Sequence, residues 1–291
     1  MNDATATFTA LRPRLQGIAY RMLGSISESE DVVQDVWISW NEANQASIDN
    51  AEAWLVTTTT RRSIDRLRAA KARREHYAGI WLPEPVMTED SRSPESLQEL
   101  ASDVSIAFLF LLERLTPEAR AAFILREVLD SDYPEIAQTL GKTEAACRQL
   151  VHRAKDQVRD ERPRQSVTPA THRDLMHRFA SALSAGDFSA IRSMLAADAV
   201  LMGDGGGKVT SFPKPMVGGQ RIAQLFYAAN LRYKYGLRLE LANINGETSL
   251  LRFLNGALES VQTYVVDGEH ITQILIQRNP DKLERILEAL H

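Results

Sequence analysis

Two short groups of cationic and polar residues have the chemistry to bind nucleic acid. The first, residues 61 to 74 (RRSIDRLRAAKARR), holds seven Lys or Arg and one Asp. The second lies between residues 148 and 155 and contains arginine, glutamine, histidine and lysine. A guanidinium group pairs with phosphates and can donate two hydrogen bonds to a guanine edge, and a glutamine amide can pair with adenine. These groups predict two separate contacts with nucleic acid.

The second group is predicted to lie on the outer face of a helix-turn-helix. Pro134 fits the first turn of a short helix, Gly141 fits its C-terminal cap, and Thr143 can cap the next helix. The inner face of that next helix is apolar, and Cys147 fits there as core filler rather than as a reactive thiol. Taken alone, the pattern also suits an ordinary helical hairpin with a solvated charged face. The predicted outer face comprises Arg148, Gln149, His152, Arg153 and Lys155.

The first group lies at the end of three predicted helices. Apolar residues at helical spacing predict a helix over residues 8–23, and Ser27 to Glu30 fits a capping box that begins a second helix. The third helix starts near Glu52 and contains four consecutive threonines, which are poor helix formers. Packing against the first two helices must therefore hold it.

Composition indicates a globular protein of two or three domains, with 291 residues, 44% apolar and 25% charged. The formal net charge is -4, but salt screens charges beyond about 10 Å, so a local basic stripe can still bind DNA. Residues 75–98 include three prolines and read as a linker. A second helical block then runs from about 99 to 159, with one helix from Leu100 to Leu115 and another capped by Thr116.

The cellular compartment is predicted from the cysteine content and from the lack of signal-peptide and membrane-span patterns. It has one cysteine, which fits a reducing compartment. The N-terminal residues lack the pattern of a signal peptide, and the longest apolar run, near 106 to 112, is far shorter than a membrane span. We therefore expect a cytoplasmic protein without membrane contact.

The C-terminal part has the pattern of an α+β domain. Helices are predicted over 170–184, 187–196 and near 219–229. Asn245-Gly246, Asn255-Gly256 and Asp267-Gly268 mark hairpin turns. The strands that accompany these turns are predicted at 199–203, 236–244, 248–254, 257–266 and 270–277.

The first 160 residues resemble an extracytoplasmic-function (ECF) sigma factor, the bacterial subunit that directs RNA polymerase to promoters. SEDVVQDVWISW resembles region 2.2 of the family, AWLVTTTTRRSIDRLR its regions 2.3 and 2.4, and LLERLTPEARAAFILREVL through YPEIAQTLGKTEAACRQLVHRA its region 4. The resemblance implies two all-α sigma domains, at 1–74 and 99–164, separated by the linker. The net negative charge of the chain is then compatible with promoter binding, because only short basic segments of a sigma factor touch the promoter.

The resemblance also implies roles for individual residues. Core RNA polymerase would bind Asp31, Gln34 and Asp35. Promoter DNA at the −10 element would bind Thr57, Thr58, Arg61, Arg62, Arg66 and Arg68. Promoter DNA at the −35 element would bind Thr143, Arg148, Gln149, His152, Arg153 and Lys155, with Lys155 on phosphate.

Residues 168–291 resemble the SnoaL-like cone, a curved sheet around a pocket. WLPEP at 81–85, DGGGK at 204–208 and NPDKL at 279–283 look like the marks of ECF sigma factors with a fused SnoaL-like extension. In that subgroup the extension is thought to regulate the sigma domains, with or without a small ligand in the pocket. The regulatory interface predicted from this resemblance comprises Trp81, Leu82, Asp204, Lys208, Asp281 and Lys282.

Two other interpretations remain open from the residues alone, whereas a third, a phosphate-binding loop, fails. DGGGK does not complete a phosphate-binding loop, since Met202 and Val209 stand where that motif needs Gly and Ser or Thr. The C-terminal domain could instead be an isomerase or cyclase with Asp204 as general base. The chain could also be a stand-alone helix-turn-helix regulator. No spacing indicates a metal site, and we expect a monomer with no cofactor and no catalytic residue.

Overall fold

The structure is a computed structural model that describes residues 3–74, 77–88, 104–159, 165 and 167–290. The chain forms two compact units. The helical unit comprises Met1–His76 and Phe108–Arg162, and the sheet unit comprises Tyr77–Ala107 and Pro163–His291. Residues 77–107 therefore group with the C-terminal part, although much of the segment was predicted to be a linker.

Seven α-helices are described in and beside the helical unit. The first three are α1 (Asp3–Leu23), α2 (Ile26–Glu42) and α3 (Ala51–Arg74), with a 3-10 turn at Gln45–Ser47. The next four are α4 (Ile106–Leu112), α5 (Pro117–Glu127), α6 (Tyr133–Leu140) and α7 (Glu144–Arg159).

The first three helices pack on one another through their apolar stripes. Val32, Val36 and Trp40 are buried in a core shared with α1 and α3, and the Trp40 indole N–H donates to the carbonyl of Ala4 at 2.9 Å. Within the threonine run, Thr59 and Thr60 are buried. Tertiary packing thus offsets the poor helix propensity of α3, as expected.

The cap predicted for α2 was misplaced by two residues. Ser25, not Ser27, is the N-cap, and its hydroxyl accepts the backbone N–H of Glu28. The predicted helix from Leu100 to Leu115 is also shorter, because α4 ends at Leu112 and Leu115 lies in the turn before Thr116. Leu100 lies outside the described residues.

The helix-turn-helix has the predicted caps. Thr116 caps α5, and Gly141 ends α6 in the left-handed conformation with φ of 61°. The hydroxyl of Thr143 accepts the N–H of Ala146 at 3.2 Å at the start of α7. Buried Ile136, Cys147 and Val151 join the two helices to α5, so Cys147 is a core residue.

The sheet unit has helices first and then a mostly antiparallel sheet. Its elements are α8 (Pro169–Ala185), α9 (Phe188–Met194), β1 (Leu195–Asp204), β2 (Met216–Val217), α10 (Gly219–Tyr233), β3 (Leu237–Ile244), β4 (Glu247–Leu254), β5 (Ala257–Asp267), β6 (His270–Gln277) and α11 (Pro280–Leu290). The strand order is β2-β1-β6-β5-β4-β3, and β1 pairs in parallel with β6. The predicted helix over 187–196 ends at Met194, where β1 begins.

The hairpin turns form where the Asn-Gly and Asp-Gly pairs predicted them. Asn245 and Asn255 both have φ of 52°, and glycines with positive φ follow them. Asparagine and glycine tolerate this conformation better than other residues. The three hairpins join β3 to β6, and α8 packs against this sheet through Leu175, Met176, Phe179 and Leu183.

The proline-rich segment 77–88 is bound to the sheet rather than free. Met87 forms a β-bridge with Ile244 at the end of β3. The Val86 N–H donates to the side-chain oxygen of Asn245 at 2.9 Å, and the Thr88 N–H donates to the Asn243 carbonyl at 3.0 Å. Backbone pairing and side-chain caps together fix this segment on the sheet unit.

Candidate nucleic-acid interface

The cations predicted to bind the −10 element lie on α3, and other helices already supply acceptors to them. Arg61 donates to the carbonyls of Thr139 and Gln138, each at 2.8 Å. These carbonyls belong to the last turn of α6, where helix carbonyls lack partners within the helix. The hydroxyl of Thr57 lies 3.0 Å from that of Thr139. Arg61 of α3 thus caps the C-terminal end of α6.

Arg66 joins the predicted polymerase-binding residues to the predicted DNA-binding residues. Its guanidinium donates to Asp31 at 2.9 Å and to Asp35 at 3.2 Å. Burial alone would lower the pKa of Arg66, but these carboxylates raise it above its ordinary value. Gln34 is exposed on α2, the helix that carries Asp31 and Asp35. The two predicted surfaces therefore touch one another through this ion pair.

The remaining predicted residues of α3 are also paired. Arg62 donates to the Ser39 hydroxyl at 2.7 Å. Arg68 pairs with Asp65 one turn away, and with Glu118 of α5. The Thr58 hydroxyl donates to the carbonyl of Trp54 within α3.

A buried network that sequence reasoning missed continues along α3. Glu113 accepts from Arg74 and from Arg120, whose side chain is fully buried. Arg120 also donates to the Arg21 carbonyl at 2.9 Å. Burial lowers the pKa of Lys71, whose ammonium donates to the Leu115 carbonyl at 2.6 Å. This network ties α3 to the start of the helix-turn-helix domain.

The residues predicted to bind the −35 element form the outer face of α7. Arg148 donates to Glu144 at 2.9 Å, and His152 lies 3.0 Å from Asp156. Lys155 pairs with Glu127 of α5 at 2.9 Å. Thr143, Gln149 and Arg153 are exposed. Every predicted −35 residue is thus placed on one solvent-facing surface, as the helical periodicity required.

A second site, in the sheet unit, is built around Asp204. Its carboxylate is fully buried and accepts the Tyr77 hydroxyl at 2.6 Å, the Leu82 N–H at 2.9 Å and the Lys282 ammonium at 2.7 Å. The Gly206 N–H and the Gln277 amide donate to the same carboxylate. The segment that contains WLPEP is therefore held by β1, β6 and α11 through one anion.

Lys282 completes this site. Its ammonium also donates to the Leu82 carbonyl at 2.6 Å and lies 4.1 Å from the centroid of the Trp81 ring. A cation over a tryptophan face is attractive when partly desolvated. Trp81, Leu82, Asp204 and Lys282 thus lie together, while Lys208 and Asp281 form a separate exposed pair at 2.7 Å.

Three partners of the Asp204 site were not predicted. Tyr77 and Gln277 lie far from Asp204 in sequence and carry no spacing signal. Asn279 begins the NPDKL motif but was not named as a site residue. The loop glycines are explained by close approach, since a Cβ on Gly206 would lie 2.4 Å from the Asn279 side chain. A Cβ on Gly207 would lie 3.1 Å from Ala78. DGGGK is a loop that fits against the 77–88 segment and against Asn279, which follows β6, not a phosphate loop.

The geometry does not favour catalysis in the sheet unit. Asp204 has donors on both carboxylate oxygens, including an ammonium, so it is not poised as a general base. A cleft among Phe226, Asn230, Leu239, Arg252 and Gln262 has a volume of about 20 Å³, room for roughly one water molecule. Across the described ranges, no cluster of His, Cys, Asp and Glu is arranged to hold a metal ion.

Comparison with known proteins agrees with this architecture. Residues 7–73 match the family model of sigma-70 region 2, and residues 105–158 match that of sigma-70 region 4. The ECF RNA polymerase sigma factor SigJ of Mycobacterium tuberculosis is 35% identical over 94% of this chain and 91% of the relative. A probable ECF sigma factor of that species, SigI, is 30% identical over 99% of this chain and 98% of the relative.

The similarity extends to a solved structure. The crystal structure of M. tuberculosis SigJ superposes with a TM-score of 0.78 at 29% identity, and the match covers 97% of this chain and 98% of that one. Two sigma-70 regions in this order define a transcription initiation factor of the sigma-70 class. Within that class, the chain belongs to the ECF RNA polymerase sigma factors, and it carries the C-terminal α+β SnoaL-like domain.

Membership of this family settles the class of activity. The chain is a DNA-binding initiation factor, not an enzyme, so the isomerase and stand-alone regulator interpretations give way. Among the described helices, none combines the length and apolarity needed to cross a lipid bilayer.

Proposed function

We propose that this sigma factor binds core RNA polymerase through Asp31, Gln34 and Asp35 and reads promoters with α3 and α7. The exposed outer face of α7 is the observation that supports −35 recognition, because Arg148, Gln149 and Arg153 are exposed there and such side chains on a recognition helix read base edges in the major groove. The basic stripe of α3, with Arg61, Arg62, Arg66 and Arg68, contacts the −10 element once its present partners are exchanged. We expect one copy of the chain per polymerase, in the cytoplasm.

The C-terminal domain regulates the sigma domains in cis by holding the segment that connects them. Five donors converge on the buried Asp204 carboxylate, and two of them, Tyr77 and Leu82, come from that segment. Removing one partner of a buried ion pair costs about 3–5 kcal/mol, because the other charge stays buried. Holding or releasing residues 77–88 changes the length of free chain between the sigma domains.

A small ligand in the C-terminal cleft is the finer part of this proposal. The cleft holds about 20 Å³, so any ligand larger than water must open it. Such a ligand switches the protein only if it binds one arrangement better than the other.

Run-off transcription with core polymerase, from the promoter upstream of the gene for this protein, tests both promoter recognition and regulation by the C-terminal domain. The full chain is compared with a version ending at Arg164 and with Asp204→Asn, which keeps the shape of the side chain and removes the charge that Lys282 faces. We expect full-length initiation above core polymerase alone, and initiation rates for both altered versions that differ from it in the same direction. That direction gives the sign of the regulation.

Two further variants control for non-specific effects. Lys208→Ala should have a smaller effect than Asp204→Asn, because exposed ion pairs contribute about 0–1 kcal/mol. Glu269→Ala, in an exposed turn, should match the full chain. Tight promoter binding without any polymerase-dependent initiation would contradict the proposed polymerase and −10 contacts. Unchanged rates for Asp204→Asn would contradict regulation through this site.

A further inference from the structure

We propose that Tyr133 is a positioning residue that orients the Arg148 guanidinium for base recognition at the −35 element. This rests on the proposed role of α7 in reading that element. Tyr133 is the first residue of α6 and Arg148 lies in the second turn of α7. Both helices of the helix-turn-helix therefore define where this one side chain points.

Two contacts restrain Arg148. Its guanidinium donates to Glu144 one turn earlier at 2.9 Å, and its central carbon lies 4.7 Å from the centroid of the Tyr133 ring. The Arg148 side chain is still 55% exposed, so a base edge can reach it. The ring and the carboxylate thus limit its rotamers without covering it.

The Tyr133 ring is itself held in place. A second guanidinium, that of Arg126, lies 5.3 Å from the same ring centroid and donates to the Ser131 carbonyl at 2.8 Å. Tyr133 also packs against the small core that contains Ile136 and Cys147. The Asp132 carboxylate accepts the Glu135 N–H and fixes the start of α6. The ring is therefore a fixed platform rather than a mobile surface group.

Orientation matters because guanine recognition by arginine needs two parallel hydrogen bonds from one planar group. An unrestrained arginine samples many rotamers and loses that freedom on binding. An exposed cation–π contact contributes about 0.5–1 kcal/mol, which corresponds to roughly a two- to fivefold effect on discrimination. We expect an effect of this size, confined to the base that Arg148 reads.

The test uses the full chain assembled with core polymerase and a promoter selected by that holoenzyme from a library randomised at the −35 element. Binding is measured for every single-base change in that element. Arg148→Ala identifies the base position that depends on Arg148. Tyr133→Leu removes the ring and keeps apolar contact with the core, and Tyr133→Phe keeps the ring and removes only the hydroxyl.

Tyr133→Leu should lower discrimination about two- to fivefold at the position identified by Arg148→Ala, and Tyr133→Phe should retain it. The double variant with Arg148→Ala and Tyr133→Leu should discriminate no worse than Arg148→Ala alone. Melting temperatures check folding, and Tyr133→Met supplies a second ring-free variant should Tyr133→Leu lower stability.

Equal weakening at all −35 sequences by both ring-free variants would show a structural role and overturn the proposal. The proposal would also be overturned if the double variant discriminated less well than Arg148→Ala alone. Such a loss would show that the effect of Tyr133 does not act through Arg148. If Arg148→Ala changes no base preference, the proposed role of Arg148 in −35 recognition fails, and the positioning role falls with it. The first two outcomes leave the role of α7 intact, so the failures are distinguishable.

Discussion

The basic surfaces of α3 and α7 differ in where their cations find acceptors. Arg61 and Arg66 of α3 bind acceptors on other helices, namely the carbonyls of α6 and the carboxylates of α2. Arg148 of α7 pairs with Glu144, and the His152 ring lies 3.0 Å from Asp156, in both cases one turn away on the same helix. An ion pair within one helix leaves the outer face of that helix accessible to solvent, whereas an ion pair between two helices places the second helix next to the cation. Lys155, which pairs with α5, is the exception on α7.

This difference predicts two ways of engaging a promoter. The α7 surface can dock on duplex DNA in its present form, with exchange of short-range ion pairs that contribute little. The α3 surface must first give up contacts to α2, α5 and α6. If α3 binds the −10 element and α7 the −35 element as proposed, −10 binding is coupled to changes within the helical unit and −35 binding is not.

The largest expected effect is a loss of unfolding free energy on substitution of Glu113, which helps to hold α3 against other helices. Glu113→Ala leaves Arg74 without this carboxylate and Arg120 buried without an anionic partner. Breaking a buried ion pair from one side costs about 3–5 kcal/mol. Urea unfolding followed by tryptophan emission should show this loss in the transition of the helical unit.

Glu42→Ala is the matched control for Glu113→Ala. Glu42 is exposed at the end of α2, so its removal should change the free energy of unfolding by less than about 0.5 kcal/mol. Similar stability for the two variants would show that the Glu113 network does not hold α3 in place.

A middle-sized effect is expected when Arg66 is released from α2. Changing both Asp31 and Asp35 to Asn removes the carboxylates that face it. Each exposed pair contributes about 0.2–1 kcal/mol, so loss of both pairs should raise the affinity of the free chain for single-stranded −10 DNA roughly two- to thirtyfold. The slope of log affinity against log salt should steepen by about 0.7, the value for one added phosphate contact on a single strand.

Arg66→Ala separates release of Arg66 from a general loss of negative charge. In the background with both Asn substitutions it should remove the gain, and in the unaltered chain it should have little effect. A gain that persists without Arg66 would mean that repulsion by the two aspartates, not masking of Arg66, sets the affinity.

Local signals predicted the elements better than the contacts between them. Thr116, Gly141 and the Asn-Gly turns act through groups within four residues, so their roles could be read from spacing alone. The cap of α2 was misplaced because Ser25 and Ser27 both precede acidic residues. The acceptors of Arg61 are backbone carbonyls 77 and 78 residues away, and a carbonyl has no sequence signature.

The Asp204 site shows the same limit. The motifs WLPEP, DGGGK and NPDKL identified Asp204, Leu82 and Lys282, and the structure brings these residues together. Tyr77 and Gln277 complete the site from positions 127 and 73 residues away. A lone tyrosine within a predicted linker and a glutamine at a strand end are common, so nothing in their type or spacing marked them.

The smallest expected effect distinguishes phosphate from base contact on the open α7 surface. Lys155 presents a single ammonium beside Glu127, a group suited to a phosphate rather than to a paired base contact. Lys155→Ala should weaken holoenzyme binding equally for all −35 sequences and reduce the salt slope by about 0.9, the value for one phosphate on duplex DNA. Between 50 and 200 mM salt, the affinity of the Lys155→Ala variant should therefore fall by a factor roughly threefold smaller than that of the unaltered chain. A change in base preference instead would place Lys155 in the groove, and the division of α7 between Arg148 as reader and Lys155 as anchor would be wrong.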